Sequence, residues 1–346
     1  MYITGSSSSS SRSPQFICYA MAASPFFAAY PFSSSGYGTR VTNPVGTVGT
    51  FGQFVKWSTD TQAIANAMEG SPYIQVYPWS NSSGFGSIYS NPVTTPTGDS
   101  RGVDFTRSGQ SIAVSHNVNP RVTAYPWSSS GYGTKYANPA TLPSGVTGFD
   151  CRFHASSTAF MCMHSATQSL NIYAWTDGTG WGTKYANPAT APQPGEGGTF
   201  NRFGTVVAAY TDTSPYLFIY PFSIGSGIGT KYANPATLAP SLGRGVDFNK
   251  SNTVVAGIGT GASPNVVAYP WSDSSGFGTK YANPATLPGV GNGIRFTAYD
   301  SHLALGLDTS AGTQKIYNWT NSGGFGTVVS NPSPALTGTA NSVDAI

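Results

Sequence analysis

"YPWSSSGYGTKYANPATLP", Tyr125 to Pro143, decides the fold, because close copies of it run the length of the 346-residue chain. Aligned on the first tyrosine, the copies begin at Tyr30, Tyr77, Tyr125, Tyr173, Tyr220, Tyr269 and Tyr317, spaced 47 to 49 residues apart. A second marker, a residue flanked by two glycines, gives the same seven units, at Gly36, Gly84, Gly131, Gly180, Gly227, Gly276 and Gly324. Self-similarity at this period marks solenoids and propellers.

Within the third unit four extended segments are expected, at Gly102–Thr106, Ser111–His116, Val122–Trp127 and Thr134–Asn138, separated by "RSGQ", "NVNP" and "SSSGYG". The separators are turn chemistry: glycine takes positive φ, and asparagine and serine bond nearby backbone. Small or apolar residues fall on both faces of these strands, so each sheet needs a neighbour on either side. One four-stranded sheet cannot bury its faces alone, but seven placed radially bury each against the next. The expected fold is therefore an all-β seven-bladed propeller with four antiparallel strands per blade.

The two ends of the chain complement each other. The first unit lacks a first strand, and where it should stand there is only a Ser-rich stretch, 5–13, read as a linker. The chain finishes with "GTANSVDAI", which aligns with "LGRGVDFNK" at Leu242 to Lys250 and supplies a spare first strand. Ser342, Val343, Asp344, Ala345 and Ile346 are expected to close the blade begun near Phe16. The whole chain, 1–346, then forms one domain, with blade 1 from 14–44 plus 342–346. Blades 2 to 7 fall at about 52–92, 101–139, 148–188, 198–235, 244–284 and 292–332.

The last strand of each blade, "TKYANP", is expected at the outer edge, where Lys135, Lys184, Lys231, Lys280 and the Asn-Pro pairs discourage pairing with other chains. The proline of "YPW" is expected where the third strand ends, since a central strand would lose a ladder bond there.

Composition narrows the function classes. Only 8% of residues are charged and the net charge is +3, with basic residues scattered among the repeats, so no nucleic-acid footprint is visible. No run approaches the length of a membrane helix. The stretch Phe16 to Phe32 aligns with Ala63 to Trp79 of the second unit and is read as two strands, not as a signal peptide. Cys18, Cys151 and Cys162 read as free thiols, although Cys151 and Cys162 lie on strands expected to be neighbours, which leaves a cross-strand bridge open.

The four-strand grammar and the shared closing blade are similar to WD-repeat propellers, but the Gly-His and Trp-Asp pairs of that family are missing. The phrase "YPWS…SGFGTKYANPATLP", followed by "GVDF", more closely resembles tandem-repeat propellers encoded by tailed bacteriophages and prophages. That resemblance implies a virion structural protein, localised to the virion on the head or tail. Its expected partners are other virion proteins and a host surface glycan or receptor, with no nucleic acid and no membrane insertion.

The residues themselves show no catalytic pattern. His116, His154, His164 and His302 are dispersed around the ring, although His154 and His164 could approach across one hairpin; metal ligation is not expected. Asp104, Asp247 and Asp344 recur in "GVDF", "GVDF" and "SVDA", with Asp150 near the same place and Lys56, Asn201 and Arg295 near that register in other blades. A cation-binding ring is one reading of these acids; backbone-bonded strand aspartates are the stronger one. Arg101 and Arg244 precede two of the acids and read as surface pairs. No enzyme activity, cofactor or metal is expected. The alternative reading is a multivalent lectin, in which Tyr37, Phe85, Tyr132, Trp181, Ile228, Phe277 and Phe325 project from equivalent loops and gain affinity by repetition.

Overall fold

The computed structural model describes residues 15–46, 50–240, 242–308 and 313–346; the Ser-rich stretch 5–13 lies outside them. Seven four-stranded antiparallel sheets form the blades of a propeller. The innermost strands are Gly52–Trp57, Ser100–Phe105, Gly148–Phe153, Gly197–Phe200, Gly243–Phe248, Gly291–Phe296 and Ala340–Ala345, each in contact with the next and the last with the first. The second strands of blades 2 to 7, such as Ala159–His164 and His302–Leu307, are buried at every position. An unbroken apolar run of this length suits a strand sandwiched between two neighbouring sheets.

Closure is as expected. Ala340–Ala345 pairs with Gln15–Met21, with Ile17 opposite Ala345 and Tyr19 opposite Val343. Beyond the strand, Ile346 N–H donates to Phe16 O at 3.0 Å and Phe16 N–H donates back at 3.2 Å. Blade 1 thus joins the first and last segments of the chain in one sheet.

The quoted repeat stitches blades together. The first tyrosines of the repeats are fully buried, and in the last three blades their hydroxyls donate to carbonyls in the preceding blade's "PAT" loop: Tyr220 to Thr190 at 2.6 Å, Tyr269 to Thr237 at 2.8 Å, Tyr317 to Thr286 at 2.6 Å. The "KYANP" tyrosines pack edge-on against the third-strand aromatic of the following blade, Tyr136 on Trp175 and Tyr281 on Trp319. Glycine is required where these rings meet the next unit. At Gly324, with φ of 76°, a Cβ would stand 2.8 Å from the Tyr281 ring. Each repeat lysine also clips its own loop, as Lys135 Nζ donates to Asn138 Oδ1 at 2.6 Å.

The outer strand differs from expectation. In blade 3 it is the pair Gly131–Tyr132, not Thr134–Asn138. The third strand does not end at proline but continues through it, Val122–Ser128. Pro126 O accepts Gly133 N–H at 2.8 Å, so the side of Pro126 that lacks an N–H faces the outer strand and interrupts that ladder. The two blades in which Ala174 and Asn318 replace the proline carry five-residue outer strands, Gly180–Lys184 and Gly324–Val328. In the other five, the outer strand is two residues long. Proline therefore governs edge length, and it shortens the edges most exposed to unwanted pairing.

Cys151 and Cys162 face each other across adjacent strands as free thiols. His154 and His164 stand at opposite ends of their hairpin, since Phe153 pairs with Phe160 while His164 pairs with Gly148. His164 lies instead beside His116 of the neighbouring blade. Both are buried. Burial, with Arg121 adding repulsion, pushes the imidazole pKa values down to about 4 for His116 and about 3 for His164. Folded values below the unfolded value of about 6.5 mean that the unfolded chain binds more protons at mild acidity. Their contribution is therefore fully present above about pH 6.5 and is lost as pH falls towards 4. Each histidine carries a slope of about 1.4 kcal/mol per pH unit. Urea midpoints measured from pH 8 to pH 4 are expected to fall steeply below pH 6.5, and His164→Gln is expected to flatten that limb.

Candidate functional site

The seven inner strands line a central tunnel, and three tiers of side chains face it. The middle tier is one residue from each blade: Lys56, Asp104, Arg152, Thr199, Asp247, Arg295 and Asp344. Around the circle, starting from Asp344 of blade 1, the signs run minus, plus, minus, plus, neutral, minus, plus. Seven is odd, so strict alternation cannot close on itself, and Thr199 occupies the position where two like charges would otherwise meet.

Alternation is fastened by a recurring clip. Where an aspartate precedes a cation in the next blade, its Oδ2 accepts the N–H of the residue after that cation. Asp344 accepts from Trp57 at 3.1 Å, Asp104 from Phe153 at 2.7 Å, and Asp247 from Phe296 at 2.9 Å. The other oxygen of Asp344 meets Lys56 Nζ at 3.2 Å and Arg295 Nε at 3.0 Å, and that of Asp247 meets Arg295 Nη1 at 3.0 Å. Burial works against the Asp344 carboxylate, but Lys56, Arg295 and the Trp57 N–H overcome it and hold its pKa at about 2. At Asp104 burial prevails over Lys56 and Arg152 and the pKa is raised.

This arrangement settles the register of the inner strands. Arg152, not Asp150, is equivalent to Asp104, and Asp150 sits two residues earlier with its carboxylate on Arg152. Thr199, not Asn201, fills that place in blade 5; Asn201 lies past the strand and bonds Thr205 and Asn252. The acids are interleaved with cations and occupied by backbone donors. Among the described residues no three His, Cys, Asp or Glu side chains gather in a metal-holding group.

The second tier lines the mouth where the inner strands begin, here called the upper mouth, a cavity of about 660 Å³. Alternation along a strand would turn residues three apart to opposite faces. β-bulges reset it. The inner strands skip register at Gln53, Arg101, the Phe149–Asp150 pair, Arg244, Asn292 and Asn341. Each bulge re-aims an extra side chain into the mouth, a device that recurs beside active sites. Glu196 takes the corresponding place in blade 5, just before its strand.

Most of the charges here are paired. Arg244 Nη1 is ion-paired with Glu196 Oε1, and Arg101 Nη2 lies 3.6 Å from Glu69 Oε1. Both arginines do pair, but not with the aspartates that follow them in sequence. Gln53 Nε2 donates to Glu69 Oε1 at 2.6 Å, and Asn341 Nδ2 to Gly52 O at 2.9 Å. Burial raises the Glu196 pKa against the pull of Arg244. Burial likewise lifts Asp150 to about 6, although Arg152 and the Gly198 N–H oppose it. A partly buried carboxylate of raised basicity can accept a proton, and Arg244 beside it, with Arg101 on the same mouth, can stabilise a developing oxyanion.

The seven loop residues expected as a binding ring lie elsewhere. Tyr37, Phe85, Tyr132, Trp181, Ile228, Phe277 and Phe325 are all partly buried. The rings meet the third-strand aromatic of their own blade edge-on, as Phe85 does Trp79 with centroids 4.9 Å apart and Trp181 does Trp175 at 5.0 Å. Ile228 packs against the apolar cluster that holds Phe222.

No family model matches the sequence, and no curated protein is similar to it. Solved structures are similar in fold. A candidate 6-phosphogluconolactonase from Bacteroides uniformis superposes with a TM-score of 0.73 at 11% identity, covering 97% of this chain and 100% of that one. The periplasmic gluconolactonase PpgL of Pseudomonas aeruginosa gives 0.71 at 10% identity, covering 96% and 99%. The β-propeller domain of Cps50 (Swd1) from Myceliophteria thermophila gives 0.58 at 11%, covering 81% and 87%. At these identities the likeness shows the fold, a propeller with WD40-like neighbours. The expectation of a virion structural protein without catalysis does not stand, because the full-length likenesses include propellers named as lactonases. Short aromatic loop motifs carried that expectation, and the structure assigns those motifs to blade packing, which any host protein can use.

Asp344 is the most connected charge of the middle tier. Asp344→Ala is expected to leave Lys56 and one side of Arg295 unpaired in a buried setting and to cost about 3–5 kcal/mol. Thr199→Ala, which removes no charge, is expected to cost under about 1 kcal/mol. Chemical denaturation of both variants checks the difference.

Proposed function

We propose that this propeller hydrolyses small polyhydroxylated lactones at its upper mouth. One observation carries the reading: Glu196, its pKa raised by burial, is paired with Arg244 within a cavity that the bulged inner strands furnish with Arg101, Gln53, Asn292 and Asn341. The likeness in fold to propellers named as gluconolactonases supports it.

In this reading Glu196 accepts a proton as water bonds to the lactone carbonyl carbon, and Arg244 with Arg101 stabilises the oxyanion that forms. The ring C–O bond then breaks, and the departing alkoxide takes the proton back from the neutral carboxyl group of Glu196. The product is an open hydroxy acid, whose new carboxylate faces the same arginines. Gln53 and Asn341 donate their amide N–H groups to Glu69 and to the Gly52 carbonyl, which leaves their carbonyl oxygens to accept from substrate hydroxyls.

The test is the rate of acid release from glucono-δ-lactone and its 6-phosphate in a pH-stat. The wild type is expected to exceed the spontaneous rate, and Glu196→Gln to lower kcat by at least about 100-fold while retaining the native circular dichroism. The wild-type rate is expected to fall as pH drops through the raised Glu196 pKa, because the protonated acid cannot act as base. A wild type no faster than buffer, or a Glu196→Gln variant of full activity, contradicts the proposal.

A further inference from the structure

The third tier lies at the opposite mouth, where the inner strands end, a separate cavity of about 370 Å³. It is set three residues beyond the middle tier, roughly 10 Å along the strands. The middle tier is neutral, three cations against three carboxylates. The outer rim then adds Arg107, Arg202 and Lys250, and none of the residues lining this rim is an aspartate or glutamate. Even with the carboxylate of Ile346, which also lines this mouth, cations prevail.

These three cations stand apart from the paired charges of the tunnel. Among the described residues none of them lies within ion-pair distance of a carboxylate. Two are brought together: Arg202 Nη1 donates to the Lys250 carbonyl at 3.1 Å, which sets a guanidinium beside a lysine of the adjacent blade. Asp300, which reaches the Lys250 backbone, is committed to the N–H groups of Lys250 and Ser251, at 2.6 and 2.8 Å. In the middle tier Asp344 and Asp247 are shared between backbone donors and Lys56 or Arg295, and Asp104 accepts the Phe153 N–H. Burial, with Arg295 and Lys56 adding repulsion, presses the Lys250 ammonium down to about 8 despite Asp247 and Asp344. Six cations line this cavity against three aspartates; an excess of like charge is costly to the protein alone, and an anion lowers that cost.

We propose that the lower mouth is an anion site that takes a phosphate group, held by Lys250, Arg202 and Arg107. A phosphate offers several acceptor oxygens and up to two negative charges, which suits two guanidinium groups and an ammonium that line one cavity. This site is distinct from the upper mouth and does not depend on the lactonase reading.

The probe is inorganic phosphate titrated into the full chain by calorimetry at constant ionic strength, with glucose 6-phosphate as a second arm. Saturable binding, weakened at least about tenfold in the double variant Lys250→Ala, Arg202→Ala, is the expected result. Tighter binding of glucose 6-phosphate identifies an esterified phosphate as the ligand; tighter binding of inorganic phosphate identifies the free anion. Unchanged binding in Glu196→Gln separates this site from the upper mouth. Thermal stabilisation that is unsaturable and matched by chloride, or wild-type affinity in the double variant, overturns the proposal, and native circular dichroism of that variant guards against misreading an unfolded protein.

Discussion

Seven inner strands have to close a circle, and every inward-facing charge on them has to be compatible with its neighbours on both sides. That constraint organises the molecule. An even ring could alternate sign indefinitely; an odd one cannot, and this chain places its neutral residue, Thr199, at the single frustrated position. Because the ring closes through the last strand, the most connected acid, Asp344, lies only two residues from the end of the sequence. The segment that closes the fold and the segment that balances the tunnel are the same.

The bulges follow from this geometry. Once the middle tier is given over to mutual neutralisation, its side chains are spent on structure, and any further chemistry needs another set pointing inward. An extra residue in an inner strand supplies it without disturbing the pairing on either side. The upper mouth therefore collects polar residues from nearly every blade while the blades themselves stay repetitive. Function on such a scaffold is written in the bulged residues, which differ from blade to blade, and not in the repeat, which serves packing. The lower mouth uses a simpler device, the turn that follows each inner strand, and there the differences between blades amount to three cations.

Much of the fold was legible in the sequence because its signals are periodic. The 47- to 49-residue spacing set the number of blades, and the spare "SVDA" strand set the closure. What escaped was aperiodic. The outer strand was misplaced because the missing N–H of Pro126 interrupts a ladder that hydrophobic pattern alone does not show. Asp150 falls in the wrong register because a bulge breaks a count made from Gly148; in blade 5, which has no bulge, the strand ends at Phe200 and Asn201 lies one residue past it. A count made back from the aromatics Trp57, Phe105, Phe153, Phe200, Phe248 and Phe296 finds Arg152 and Thr199 directly, and with them the alternating charges. Glu196 carried no motif; its significance arises only when neighbouring blades bring Arg244 beside it.

Hydrogen–deuterium exchange along Ala340–Ala345 tests the central claim most directly, since these amides are protected only if the last strand is an integral part of blade 1 and the circle is closed. The account predicts that the amides of this segment that bond to Gln15–Met21 exchange as slowly as those of the second strands of the other blades and open with the global unfolding of the protein. Exchange at the rate of an unstructured tail, with the rest of the molecule still protected, would contradict it and remove the basis for both mouths of the tunnel.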